Sequence, residues 1–303
     1  MDPEGVLDAE DTENGHCSTD KEMGDAKHGM IIPQVGDTLK AQILMGEIMV
    51  EEFRVIFWNV WASNQAQQAR LDLLCARLGE LIEVYSPDVF GLNEVVFDEE
   101  AGWSQVVRYL ETRGYQVHFV PHGPEGLGML AGSALATRSM PQRVLEPVLG
   151  PDKTAEYRGF PGHDVRAIDA VIPVGEGDAQ IQLIVAYWAH LVPQNWEAHR
   201  MHVRAFSEHL LAEASGPLIM GGDFNELKGM PAIRALARKY NRITGNFWRP
   251  TWRWAGQRRR LLRANYDNIL WSRENGIELV DFKVLPFAPS DHAPLYAKFL
   301  ITQ

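Results

Sequence analysis

Eight polar side chains stand at or beside the ends of predicted β-strands, where a hydrophobic core would not place them. They are Asn59, Glu94, His190, Asp223, Asn225, Asp267, Asp291 and His292. Polar groups repeated at strand ends indicate one cleft shared by the edges of a sheet. Carboxylate and amide oxygens, in a chain without a cysteine cluster or a paired-histidine zinc motif, suit a hard cation such as Mg²⁺ or Mn²⁺. Such a cation leaves coordination positions for water and a substrate phosphate, which favours metal-assisted hydrolysis of a phosphate ester.

Each of these residues taken alone has a simpler explanation. An Asn or Asp at a strand end is usually a turn former or a cap, because its side chain bonds the neighbouring backbone. Only the order and local context of the whole set favour the chemical interpretation. A covalent nucleophile is not indicated, since the sequence has neither a GxSxG motif nor a cysteine in a catalytic setting.

The elements that must position these residues are many strands and few helices. The run from Phe53 to Trp61 is β-branched and aromatic, as strands are. From Leu71 to Tyr85, apolar residues recur at three- and four-residue spacing, which predicts an amphipathic helix that ends at Ser86-Pro87. Two more helices are predicted near Asn195–Ala214 and Met230–Tyr240. This pattern predicts packed sheets that are covered outside by helices.

The segments that carry the polar residues resemble one known series of motifs. In chain order they read NVW, GLNEV, AHL, GGDFNE, YDNIL and PSDHAPL, and they are similar to the motifs of the endonuclease/exonuclease/phosphatase family. The resemblance covers residues 53–303. It implies an α/β (α+β) fold of the DNase I type, a four-layer sandwich of two packed mixed β-sheets flanked by helices. It also implies a divalent-metal-dependent hydrolase of phosphate esters.

The resemblance implies a metal site at the ends of the first two strands. Glu94, helped by Asn59, would hold Mg²⁺ or Mn²⁺, with Asp291 close by as a further ligand or outer-shell group. The chain departs from the family at Asn93, where Gln is more usual, and at Val60, which stands where abasic-site endonucleases have Asp. These departures weaken an abasic-endonuclease assignment without removing a metal ligand.

The resemblance also implies the residues that act on the attacking water and on the phosphate. Asp223 and His292 would position and deprotonate the water, and Asp267 would accept a hydrogen bond from His292 that fixes its tautomer. Asn225 and His190 would hydrogen-bond the phosphoryl oxygens, and His190 could protonate the leaving oxygen. Whether Asp223 or His292 is the formal base stays open.

Substrate-binding residues are sought on three further segments. The segment Trp248–Arg263 holds three Trp and six Arg, which suits stacking on bases and pairing with phosphates, although a solvated basic surface explains it equally well. Within it, Trp252 falls where the family often has a Thr-aromatic pair near the cleft. Arg200 resembles a family arginine that ties its helix to the site, and Arg166 either faces the cleft or forms a surface ion pair.

Nucleic acid is favoured over lipid as the substrate of this chemistry. The chain shows no hydrophobic hairpin or anchoring segment, and its Arg/Trp segment suits nucleic acid as well as any anionic headgroup. The alternatives are a sphingomyelinase- or inositol-phosphatase-like hydrolase of a phospholipid or small phosphoester, and an inactive binding scaffold. The scaffold is disfavoured because the expected metal and catalytic residues are all present.

Composition divides the chain into a tail and a catalytic domain. The first 52 residues carry 13 Asp/Glu and 3 Lys, whereas residues 53–303 carry 27 acids and 26 bases. We therefore expect residues 1–50 to be a disordered acidic tail and residues 51–303 to form the catalytic domain. The chain has two cysteines, no signal peptide and no apolar span, so we expect a cytoplasmic monomer without a membrane span. The helical His199 and His202 are expected to be exposed.

Overall fold

The structure is a computed structural model that describes most of the chain from Val50 onward. The described ranges are 50–60, 68–98, 102, 104–126, 129–152, 163–175, 177–188, 196–210, 216–227, 230–246, 249–253, 263–273 and 276–302. The acidic tail up to residue 49, His190 and most of the Trp248–Arg263 segment lie outside these ranges. The predictions made for them therefore remain predictions.

The first sheet has six strands. Their bounds are β1 Val50–Asn59, β2 Val89–Asp98, β3 Gln116–Gly126, β4 Met129–Thr137, β15 Ile277–Val284 and β16 Leu295–Thr302. The order across the sheet is β15-β16-β1-β2-β4-β3. β1 and β2 run parallel and the other neighbouring pairs run antiparallel, so the sheet is mixed.

The second sheet also has six strands and is mixed in the same way. Its strands are β5 Arg143–Leu145, β8 Ile168–Pro173, β9 Gln180–Tyr187, β10 Leu218–Asp223, β11 Tyr240–Thr244 and β14 Asp267–Ser272. The order is β11-β14-β10-β9-β8-β5, with β9 and β10 as the parallel pair. Two small antiparallel pairs complete the strands, β6 Val148–Asp152 with β7 His163–Arg166 and β12 Trp252–Arg253 with β13 Arg263–Ala264.

Helices cover the outer face of each sheet. Their bounds are α1 Gln68–Tyr85, α2 Gln105–Thr112, α3 Trp196–Ala205 and α4 Pro231–Lys239, and a π-helical turn at Phe206–Leu210 continues α3. α1 and α2 bury leucines such as Leu78 and Leu110 with residues of the first sheet, while Phe206 and Ile233 do the same on the second. The result is four layers, helix on sheet on sheet on helix.

Alternation along β1 explains why this strand lies at the centre of the packing. Val55 and Phe57 belong to the core between the sheets, whereas Ile56 and Trp58 belong to the core under the helices. A strand buried on both faces reads as a continuous apolar run, as this one does. The Phe57 ring lies between glycines of the two sheets, because a Cβ at Gly91 or Gly221 would come within 2.5 Å of it. The sheets thus approach closely just before the strand ends that carry the polar residues.

The predicted fold class is confirmed, with local differences. α3 ends at Ala205 and passes into the π-helical turn, and α4 ends at Lys239 because Tyr240 already begins β11. The expectation that His199 and His202 are exposed is wrong, since both are buried. The Nε2 atom of His202 lies 3.1 Å from the carbonyl oxygen of Gly150, and that of His199 lies 3.3 Å from Glu226 Oε1. These partners make burial of the two rings tolerable.

Candidate active site

The ends of β1 and β10 and the middle of β2 bring three predicted site residues into contact. The amide Nδ2 of Asn59 donates to Glu94 Oε1 at 2.9 Å and to Asp223 Oδ2 at 2.9 Å. Asn59 and Asp223 are almost fully buried. One amide from the first sheet therefore links an acid of its own sheet to an acid of the second sheet.

A bulge in β2 places two consecutive residues at the site. The register with β4 shifts between Leu92 and Val95, and Glu94 has a positive φ of 55°. The bulge re-aims side chains that would otherwise point to opposite faces. Asn93 accepts a hydrogen bond from the backbone N of Asp223 at 3.0 Å, while Glu94 contacts Asn59. Asn93 is thus a positioning residue that the sequence analysis had treated only as a departure from the family.

Asp223, Asp267 and His292 form a buried group, here termed the acid–histidine cluster. His292 Nδ1 lies 2.9 Å from Asp267 Oδ2, a hydrogen bond, and His292 Nε2 lies 3.7 Å from Asp223 Oδ2. β10 and β14 are neighbours and place Asp223 directly opposite Asp267. The backbone N of Asp267 donates to the buried hydroxyl of Thr251 at 3.1 Å. The imidazole is therefore held between two carboxylates of one sheet.

The backbone around His292 is anchored to the first sheet. The hydroxyl of Ser290 donates to the carbonyl of Asn59 at 2.7 Å and accepts from the backbone N of His292 at 3.0 Å. The indole of Trp58 donates to the carbonyl of His292 at 3.0 Å. These contacts fix the loop before β16 against β1, and Ser290 is a second positioning residue that the sequence analysis missed.

Asp291 faces a different environment from His292. Its Oδ2 accepts a hydrogen bond from the indole N–H of Trp252 at 3.1 Å. Its Oδ1 is buried and has no hydrogen-bond partner among the described residues. Since a buried, unpaired carboxylate oxygen is costly, this atom has the character of a cation ligand.

The electrostatics of the site follow from burial and from the crowding of acids. Burial raises the pKa of Asp223, and nearby Asp267 raises it further. Burial alone would lower the pKa of His292, but the two carboxylates of the cluster outweigh it and raise that pKa to about 10. Burial also raises the pKa of Asp291, with a contribution from nearby Glu94. Crowded acids of this kind disfavour their own ionised forms, and a bound cation would relieve that cost.

Two groups of residues could hold a metal ion. One ligand atom from each of Asp223, Asp267 and His292 lies within 4.8 Å of the others. In that group, however, His292 and Asp267 already hydrogen-bond each other. Glu94 and Asp291 offer carboxylate oxygens, one of them unpaired among the described residues, and carboxylates are the ligands that Mg²⁺ and Mn²⁺ prefer. The chemistry of this second pair of donors fits the expected ion better.

A family model supplies the decisive comparison. The model of the endonuclease/exonuclease/phosphatase family matches residues 56–292, which span both sheets and the site. The chain belongs to this family. Members of the endonuclease/exonuclease/phosphatase family are hydrolases of phosphate esters.

Similar proteins agree with membership in the family. A UPF0294 protein of Klebsiella pneumoniae (strain 342) is 26% identical over 254 residues, which are 82% of this chain and 82% of that protein. The human Nocturnin catalytic domain with bound sulfate has a TM-score of 0.58 at 21% identity, covering 84% of this chain and 97% of its own. A family member from Bacteroides vulgatus gives 0.60 at 15% identity, with 82% and 98% covered. D. rerio TDP2 complexed with a single strand DNA product gives 0.57 at 14%, with 82% and 98% covered. The solved structures share the fold.

Within this endonuclease/exonuclease/phosphatase fold, Asn225 is held close to the cluster. Its backbone N donates to Asp223 Oδ1 at 2.9 Å, and its Nδ2 donates to the carbonyl of Trp188 at 2.7 Å. Its φ of 48° lies in the left-handed region, which Asn tolerates better than most residues. The amide is therefore tied to Trp188, which directly follows β9 and precedes His190 by two residues in the sequence. Its contact with a phosphoryl oxygen remains a prediction.

The two predicted substrate arginines lie apart from the cluster. Arg166 Nη1 is 3.4 Å from Glu146 Oε2, and His118 contacts the other oxygen of that carboxylate at 2.8 Å. Arg200 is exposed on α3. Among the described contacts, neither arginine touches the acid–histidine cluster. Trp252 meets the site through its indole N–H on Asp291 Oδ2 and through a backbone bridge with His292. Their roles in substrate binding remain predictions.

The helices give one further finding. None of those that the structure describes combines the length and the apolar character needed to cross a membrane.

Proposed function

We propose that this chain is a divalent-metal-dependent phosphodiester hydrolase that acts on nucleic acid. The observation that carries the proposal is the convergence of His292, held by Asp267 and facing Asp223, with the unpaired Asp291 carboxylate oxygen beside it. Membership in a family of phosphoester hydrolases sets the reaction class.

Glu94 and Asp291 would hold the ion, with Asn59 orienting Glu94. The donor set of carboxylate oxygens fits Mg²⁺ or Mn²⁺, and the hydrogen bond from Trp252 to Asp291 Oδ2 leaves Oδ1 as the ligand atom. When bound, the ion would neutralise charge that develops on the phosphoryl group.

The acid–histidine cluster would handle the proton of the attacking water. His292 Nε2 and Asp223 Oδ2 lie 3.7 Å apart, so one water can contact both atoms. With Asp267 accepting the hydrogen bond of Nδ1, the other ring nitrogen faces Asp223 and the water. The water oxygen would form the new bond to phosphorus, and the proton of the water would pass to the pair of Asp223 and His292. The leaving oxygen would depart with a proton from a second donor, the role that the family resemblance gives to His190.

Two observations favour nucleic acid as the substrate. The Trp248–Arg263 segment, which precedes the strand that carries Asp267 in the sequence, contains three Trp and six Arg, residue types that stack on bases and pair with phosphates. A structural relative, D. rerio TDP2, is complexed with a single strand DNA product.

A substrate panel tests the proposal. Wild type and His292→Ala are incubated with single- and double-stranded DNA, RNA, bis-p-nitrophenyl phosphate, sphingomyelin and an inositol phosphate, each with Mg²⁺, Mn²⁺ or EDTA. We expect cleavage of a nucleic acid that requires metal and is lost in His292→Ala. Turnover of sphingomyelin or the inositol phosphate alone would replace nucleic acid with the lipid or small-phosphoester alternative. Undiminished cleavage in EDTA would remove the metal from the proposal.

A further inference from the structure

A groove lies on the outer face of the second sheet, and its lining includes no residue of the acid–histidine cluster. It has a volume of about 490 Å³ and runs between α3 with its π-helical turn on one side and the start of α4 on the other. Its walls are mostly apolar and include Trp196, Val203, Met230 and Pro231. Cavities of this size and character commonly take a small organic group or one residue of a polymer.

The floor of the groove is rigid and adjoins the site. Glu226 follows Asn225 directly, is buried, and lies 3.3 Å from His199 through Oε1. Its Oε2 accepts the backbone N of Ile233 at 3.0 Å, so the carboxylate caps the first turn of α4. These contacts occupy both carboxylate oxygens of Glu226. The floor is therefore a fixed surface close to the end of β10 that carries Asp223.

Two side chains at the mouth of the groove differ in what holds them. Arg204 is engaged, since its Nε lies 2.9 Å from Glu208 Oε1 one turn later. Arg200 has no ion pair among the described residues and is exposed. Trp196 stands one turn before Arg200 on the same face of α3 and leaves 50% of its surface exposed. The indole of Trp196 and the guanidinium group of Arg200, which has no ion pair among the described residues, thus lie next to each other over an apolar groove.

This pair matches the chemistry of a nucleotide. A base stacks on an indole face, and a guanidinium group donates two parallel hydrogen bonds to a phosphate. The exposed Arg234, Arg238 and Lys239 of α4 add positive charge on the same outer layer. An alkyl chain would fill the apolar walls but would leave the indole–guanidinium pair without a specific partner. The charge and the aromatic plane together favour a nucleotide.

We propose that the groove binds one nucleotide of a single-stranded nucleic-acid substrate, with its base against Trp196 and its phosphate on Arg200. The inference rests on the proposed function and adds the strandedness of the substrate to it. The bound strand runs from the cleft, past Asn225 and Glu226, to α3.

Binding to an uncleaved oligonucleotide tests the inference. Fluorescence anisotropy measures the affinity of full-length protein carrying His292→Asn for labelled dT12 and for a duplex of the same length, with thermal melting as the folding check. Into this background go Trp196→Ala, Trp196→Phe, Arg200→Gln and, as a matched control, Arg108→Gln on α2 over the other sheet.

The expected pattern separates stacking from charge. Trp196→Ala weakens dT12 binding by about fivefold to a hundredfold, since stacking contributes about 1–3 kcal/mol per base. Trp196→Phe, which keeps an aromatic face, loses less. Arg200→Gln weakens binding and lowers the slope of log affinity against log salt by about 0.7, the value for one phosphate contact on a single strand. Arg108→Gln changes affinity less than twofold, and duplex binds more weakly than dT12.

Three results would overturn the inference. The first is equal affinity of the Trp196→Ala and Arg200→Gln variants and the background protein for dT12. The second is tighter binding of duplex than of single strand. The third is displacement of dT12 by dodecyl phosphate with loss of that competition in Trp196→Ala, which would make the groove an amphiphile site. The His292→Asn variant is tested only for binding, so the result does not depend on hydrolysis. Failure of the proposed hydrolysis in the substrate panel and failure of this binding are therefore separate results.

Discussion

Two buried histidines of this protein differ in what surrounds them. His292 stands between two carboxylates, with Asp267 Oδ2 2.9 Å from Nδ1 and Asp223 Oδ2 3.7 Å from Nε2. His202, on α3, has its Nε2 3.1 Å and 3.0 Å from the carbonyl oxygens of Gly150 and Pro151. Both rings are buried and both have partners, so neither burial nor hydrogen bonding marks a reactive histidine. What distinguishes His292 is the convergence of two carboxylates, from neighbouring strand ends, on one ring.

The largest expected effect concerns activity and separates the two histidines. His292→Ala should lower turnover of the best panel substrate by about 10²- to 10⁴-fold, since it removes a proton-handling group. His202→Ala should leave turnover per folded molecule within about threefold of wild type, because His202 contacts backbone carbonyls of β6 far from reacting atoms. Initial rates at saturating substrate, corrected for folded fraction by circular dichroism, check this. Equal losses in the two variants would contradict the distinction.

The second effect concerns stability, and here the histidine whose loss matters is His202. His202→Ala should lower the free energy of unfolding by about 2–3 kcal/mol, because it leaves one buried and one part-buried carbonyl without their donor side chain and opens a cavity under α3. Urea unfolding followed by circular dichroism measures the loss. His202→Gln, which can still donate to a carbonyl, should recover part of it. A stability unchanged from wild type in His202→Ala would show that the ring does not tie α3 to β6.

A smaller effect is expected where an aromatic side chain, not a histidine, orients an acid. Trp252→Phe keeps the ring but removes the N–H that holds Asp291 Oδ2. Loss of one such hydrogen bond should weaken Mn²⁺ binding by about fivefold, or ~1 kcal/mol. Isothermal titration of Mn²⁺ into each protein gives the ratio. An unchanged Kd would mean that Asp291 is oriented without Trp252.

The smallest effect extends the comparison to an acid just before β2, the strand that carries Glu94. Burial raises the pKa of Asp88, although its Oδ2 accepts the backbone N of Arg54 at 2.7 Å. A raised pKa in the folded state means that the neutral acid favours folding and that this contribution is lost as pH rises through the folded pKa. Asp88→Asn keeps an acceptor but cannot ionise. It should be more stable than wild type by about 1 kcal/mol or less at neutral pH.

That advantage should shrink as pH falls through the raised pKa of folded Asp88 and should vanish below about 3.9, the ordinary pKa of aspartate. Urea unfolding of both proteins at neutral pH and below about pH 3.9 gives the difference directly. A larger advantage at acid pH than at neutral pH would reverse the sign of the effect.

The sequence predicted candidate site residues through their placement at strand ends, and their roles stay predictions. Asn59, Asp223 and His292 follow or flank strongly apolar runs, and such runs identify strands whose ends share an edge. The order of the motifs indicated the family, and the family implied the two-sheet fold. The match to the family model confirms the first prediction, and the two observed sheets confirm the second. Placement in sequence does not give contacts, however.

Three features required the structure because they depend on side-chain direction. A bulge turns Asn93 and Glu94 toward the same region, and no pattern of alternation predicts it. Ser290 acts by linking the backbones of Asn59 and His292, residues far apart in the chain. His202 sits on a helix whose sequence is polar enough to suggest exposure, yet carbonyls of β6 make its burial favourable. The short helix α2 also escaped the sequence pattern because eight residues give little periodicity.

The most direct test of the account is Mn²⁺ binding and turnover measured side by side on wild type, Glu94→Gln and Asp267→Asn. If the ion binds at Glu94 and Asp291 and the proton transfer takes place at the acid–histidine cluster, Glu94→Gln loses both Mn²⁺ binding and turnover. Asp267→Asn then binds Mn²⁺ with nearly the wild-type Kd and loses turnover. Retained binding in Glu94→Gln together with lost binding in Asp267→Asn would place the ion in the cluster and contradict the account.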